Sequence, residues 1–136
     1  MKHYTRTLSL FLFISFAFSQ TQLGSDIDGE AQGDYSGWSV SMNSAGDRVA
    51  IGARRNDGTA SDAGHVRIYE YSNSSWTQLG SDIDGEAASD FSGNSVSMNS
   101  AGDRVAIGAP YNAGTGSNAG HVRIYEYSNS LSLIHI

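Results

Sequence analysis

Cysteine is absent from the 136 residues, so disulfides and thiolate metal sites are excluded. Lysine occurs once, at Lys2, and proline once, at Pro110. Beyond residue 19 the cations are six arginines against fourteen acids, a balance of −8 (6 − 14). A surface of that sign repels nucleic acid and anionic lipid, so neither is an expected partner. No apolar run reaches the ~20 residues that a membrane-spanning helix needs. After the first apolar run, no segment shows a helical period. What fills the chain instead is Gly, Ser, Asn and Asp between short apolar stretches, the pattern of many turns joining short strands.

The first 19 residues read as a secretory signal. Lys2, His3 and Arg6 give a basic start, and residues 8–18 are an apolar run of eleven. Ala17-Phe18-Ser19 then puts small residues where a signal peptidase reads them, which predicts cleavage before Gln20. The chain is therefore expected to be exported, secreted or at the cell surface, with no membrane insertion after cleavage.

From residue 21 the chain repeats itself. Thr21-Gln22-Leu23-Gly24 returns as Thr77-Gln78-Leu79-Gly80, an offset of 56 (77 − 21), and residues 39–53 return unchanged as 95–109. Aligning 21–74 with 77–130 leaves only nine differing pairs. The domain reading is signal 1–19, two repeats at 20–130 (21–76 and 77–130), and a non-native tail at 131–136. There the repeat calls for Ser-Trp-Thr and the chain reads Leu131-Ser132-Leu133. That hexapeptide resembles a translated sequencing adapter.

Each unit reads as four strands. In the first unit they are about 37–42, 48–53, 65–71 and 76–83. Residues 43–47 form a tight hairpin connection in which Gly46 supplies a positive φ. Alternation puts Val49 and Ile51 on one face and the small Ala50 and Gly52 on the other, where another sheet could approach closely. A period near fifty with this strand content predicts a propeller or solenoid, because one unit alone cannot bury its apolar faces. The expected fold is all-β, a partial β-propeller of two four-stranded antiparallel blades.

Val105-Ala106-Ile107-Gly108-Ala109-Pro110 carries a family likeness. Phe91-Ser92-Gly93-Asn94-Ser95-Val96 precedes it and Gly120-His121-Val122-Arg123-Ile124-Tyr125 follows. Together these segments resemble the FG-GAP repeat of integrin α subunits and of many secreted bacterial proteins. The likeness covers residues 21–130 and implies a seven-bladed ring. Three departures stand out. Ser92 separates Phe91 from Gly93, Ala53-Arg54 replaces Ala-Pro in the first unit, and residues 43–47 are too short for the family's Asp-rich calcium loop.

The loops after the second and fourth strands emerge at one end and hold most of the acids. Asp26, Asp28, Glu30 and Asp34, with Asp82, Asp84, Glu86 and Asp90, are candidate Ca²⁺ ligands, since that ion takes ~6–8 oxygens. The competing reading is solvated turn acids. All nine differing pairs fall in these loops or where the first strand starts, as a partner-binding end would require; loops also tolerate change. Tyr35, Trp38, Arg54, Arg55, Asp57, Phe91 and Tyr111 are the candidate contacts for an extracellular protein or glycan, the aromatics alternatively packing between blades. His65 and His121 read as packed strand residues. Neither a Gly-x-Ser-x-Gly elbow nor a phosphate-loop or zinc signature is present, so the chain is not expected to be an enzyme. The expected function is an extracellular binding or adhesion scaffold. The alternatives are a lectin-like propeller or an accessory domain of a larger secreted enzyme.

Overall fold

The structure is a computed structural model that describes residue 12 and residues 14–128. The predicted signal (apart from residue 12 and residues 14–19) and the tail at 131–136 lie outside the described residues. Seven strands follow in order: β1 (Ser36–Met42), β2 (Arg48–Ala53), β3 (His65–Ser72), β4 (Ser75–Asp84), β5 (Ser95–Met98), β6 (Arg104–Ala109) and β7 (His121–Glu126). They form two antiparallel meanders, β1-β2-β3-β4 and β5-β6-β7. Among the described residues no helix is long and apolar enough to cross a membrane.

Local chemistry fixes the hairpins. Asn43 Oδ1 accepts from the backbone N–H groups of Asp47 (3.1 Å) and Arg48 (2.9 Å), while its amide donates to Asp47 Oδ1 at 2.7 Å. Asn99 repeats all three bonds with Asp103 and Arg104. An asparagine that satisfies the turn backbone in this way is a common turn builder. The β3–β4 turn has two residues, Asn73 and Ser74, with φ of 51° and 64°, while Ser72 pairs with Ser75. Two successive positive φ values give the turn whose twist suits a tight hairpin.

The two sheets stack face to face. Ala50, Val66 and Ile68 from the first and Val105 and Ile107 from the second make the buried core, with Leu79, Ile83, Val96, Met98 and Tyr125 around it. Ala50 and Gly52 let the second sheet come close. A Cβ on Gly52 would collide with the Gly93 carbonyl oxygen. Ser39 Oγ donates to that same carbonyl at 2.7 Å, and Ser41 Oγ accepts from the Met98 N–H at 2.9 Å. Small residues and serines thus replace bulk at the seam with direct backbone contact.

The all-β expectation holds, and among the described residues the two sheets have four and three strands. β4 runs from the end of the first repeat into the second, so its counterpart by the offset of 56 would begin at residue 131, outside the described residues. An earlier copy of residues 77–84, residues 21–28, lies before β1 and forms no strand.

Candidate binding face

The loops after β2, β4 and β6 and the segment before β1 gather at one end. Backbone bonds knit the first two loops together: Ser89 N–H to Ser61 O at 2.8 Å, Phe91 N–H to Asp62 O at 3.1 Å and Ser92 N–H to Ala63 O at 2.9 Å. The loop face is therefore a continuation of the sheets.

The eight acids do not converge into one oxygen cage. They divide into repeat-related clusters. Asn56 donates to Glu30 Oε2 (3.1 Å) and to the buried Asp34 Oδ2 (2.8 Å), and its own Oδ1 accepts from the Gly58 N–H. Asn112 does the same with Glu86, Asp90 and Gly114. Asp26 accepts from Gln22 at 2.7 Å, Asp28 lies beside Tyr69 and Trp76, and Asp84 ends β4 opposite His65. In the two asparagine clusters an amide occupies the space between carboxylates that a cation would take.

Asp82 belongs to a different group, on the outer face of the first sheet. Arg67 Nε donates to Asp82 Oδ1 at 2.8 Å, Nη2 to Oδ2 at 3.0 Å, and Nη2 also to Glu30 Oε1. His65 sits behind this ion pair with 3% of its surface exposed. Its Nδ1 is 3.9 Å from Glu30 and 3.8 Å from Asp82, and has no hydrogen-bond partner among the described residues. Burial, and then the charge of Arg67, lowers the His65 pKa and keeps the ring neutral. The Arg67 hydrogen bonds hold the Asp82 carboxyl below the usual range. Glu30, His65 and Asp82 place ligand atoms within 4.8 Å of one another, a geometry that could hold a divalent cation. Arg67 already spans both carboxylates, so the cluster's charge is met from within.

Six of the seven sequence-predicted contact residues meet in one patch across the two sheets. The Arg54 guanidinium lies 3.4 Å from the centre of the Trp38 ring and 5.9 Å from that of Phe91. Arg55 lies 5.4 Å from Tyr35 and 5.9 Å from Phe91. Tyr35 packs edge-on to Trp38, and Phe91 edge-on to Tyr111. Such arginine–aromatic contacts each contribute roughly 0.5–1 kcal/mol at exposed sites. Tyr35, Trp38 and Tyr111 remain about half exposed. Asp57 stands apart, accepting from the Asp62 N–H in its own loop.

Backbone strain supports the patch. Tyr35 and Phe91, equivalent positions in the two repeats, have φ of 55° and 54°. Bulky side chains rarely adopt that region, and such outliers gather at functional sites. In each case the residue's carbonyl accepts from the N–H three residues on, Trp38 or Asn94, at 3.0 Å. The turn aims an aromatic outward at the same place in both copies.

Sequence reasoning missed Asn56, Asn112 and Arg67 as organisers. The signal was present: Asn56 and Asn112 stand 56 apart and are unchanged between loops that otherwise vary, and Arg67 and Arg123 recur in identical strands. No protein-family model matches the chain, and no curated protein matches it.

Proposed function

We propose that the chain is a section of an exported, non-catalytic binding scaffold that engages an extracellular protein through the arginine–aromatic patch. The scaffold reading is a propeller of the FG-GAP kind, supported by two repeat-encoded sheets stacked face to face with both outer faces open. Calcium in the acid loops is not needed for this reading.

One observation carries it. Apart from Trp38 in β1 the repeats are identical through the strands, and they differ at 35/91, 38/94, 54/110 and 55/111, the positions that build the patch. A constant frame thus presents a different surface from each copy. The residue types are those of binding hot spots, where Trp, Tyr and Arg dominate. Protein is favoured over glycan because Arg54 covers a Trp38 ring face on which a sugar would stack.

Arrays of extracellular proteins and of glycans, probed with the labelled chain, test this. Protein spots should retain the chain and lose most of that signal with the Trp38→Ala/Arg55→Ala variant. Binding confined to sugars, or equal binding by the variant, would overturn it.

A further inference from the structure

Among the described residues the second sheet has no fourth strand, and the chain carries a sequence that fits that place. In the first sheet, β4 pairs with β3: Asp84 opposite His65, Ile83 opposite Val66, Leu79 opposite Ile68 and Gln78 opposite Tyr69. Residues 77–84 recur letter for letter as residues 21–28. Those earlier residues join no sheet, and among the described residues the outer edge of β7 has no strand beside it. Such an edge is a template for another chain.

Two further observations point to the same occupant. Arg67 Nε donates to Asp82, whereas its counterpart Arg123 Nε is buried and has no partner among the described residues. Subtracting 56 from 82 gives Asp26, which among the described residues accepts from Gln22, as Asp82 accepts from Gln78. The outer faces also match. Val122 and Ile124 are 65% and 72% exposed, while their copies Val66 and Ile68 are buried under the second sheet. Val40 and Met42, the copies of the residues that cover them, are 62% and 52% exposed. Residues 25–28 already line a hollow with Tyr69 on the first sheet, as Leu79 and Ile83 line one with Tyr125 on the second.

We propose that a second copy of this chain docks head to tail. Its residues 21–28 add as a fourth strand to β7, and its first sheet covers Val122 and Ile124. The register follows from the repeat: Asp28 opposite His121, Ile27 opposite Val122 and Leu23 opposite Ile124, with Asp26 reaching Arg123. The junction uses different surfaces on its two sides, so it propagates from copy to copy until it closes. It reuses an interface that the chain already makes within itself.

Sedimentation of the purified chain over a concentration series tests the proposal. The mass should rise to at least two chains. Asp26→Arg, a change at an exposed residue, and Arg123→Asp should each return it to one chain, with equimolar mixing of the two restoring assembly. Because the chain lacks cysteine, register can be read directly. Leu23→Cys with Ile124→Cys should give disulfide-linked multimers on oxidation, and Leu23→Cys with Val122→Cys should give far fewer. A single-chain mass for the unaltered protein, unchanged assembly of Asp26→Arg, or equal cross-linking by both cysteine pairs would overturn the proposal. If Arg123→Asp fails to fold, Asp26→Arg and the cysteine pairs still decide.

Discussion

The two sheets are built from nearly the same words and live in different surroundings. Val66 and Ile68 are 0% and 9% exposed, and their copies Val122 and Ile124 are mostly in solvent. His65 is buried behind a complete Arg67 ion-pair cluster, whereas among the described residues the acid that His121 and Arg123 share is Glu86, at 3.8 and 3.7 Å. Sequence sets which residues share a face. A neighbour decides whether that face becomes a core. Burial in a repeat protein therefore belongs to the junction between units, which is where its stability is concentrated.

The largest way to break this comparison is to truncate the same residue in each copy. Ile68→Ala should cost about 2–5 kcal/mol, the usual range for emptying a core position. Ile124→Ala, measured at concentrations where the chain is monomeric, should stay within about 0.5 kcal/mol, as exposed substitutions do. Urea unfolding of both variants checks this, and equal effects would mean that the second sheet's outer face is covered in the monomer. A smaller contrast separates Gly52 from Gly108. A Cβ at either position meets a serine hydroxyl, which can rotate, but at Gly52 it also meets the Gly93 backbone carbonyl across the seam. Gly52→Ala should therefore cost about 1–3 kcal/mol, the range for overpacking, and Gly108→Ala visibly less.

Most of the fold was legible because the repeat supplied its own control. The strands, the Asn43–Asp47 turn and the role of Ala50 and Gly52 all follow from local pattern and period 2. The fourth strand, placed at 76–83 from the sequence, is β4 (Ser75–Asp84), which crosses the repeat boundary at residue 77, so the phase of a repeat is not its structural unit. The site was legible in part. Aromatics and arginines at the differing positions pointed to one end, and the structure gathers six of them. Acid spacing was less informative. Asp26 accepts from Gln22, Glu30 from both Arg67 and Asn56, and Asp34 from Asn56. Those partners are distant in sequence or unremarkable in type, so spacing alone could not assign them.

The subtlest contrast is in pH. His65 titrates below its ordinary value in the folded chain, first because it is buried and then because Arg67 is near. The unfolded chain takes up that proton near the ordinary histidine value of about 6.5. Between the two values the unfolded state holds more protons, so stability rises with pH there and is lost as pH falls through about 6.5 toward the folded value. Asp82 acts in a lower window. Its contribution is present above the ordinary carboxyl value of about 3.9 and is lost as pH falls through its depressed folded value. Melting temperature followed from pH 8 to pH 5 should therefore decline for the unaltered chain, and the decline should flatten in His65→Gln. If the decline were as steep in His65→Gln as in the unaltered chain, the buried histidine would not be its source.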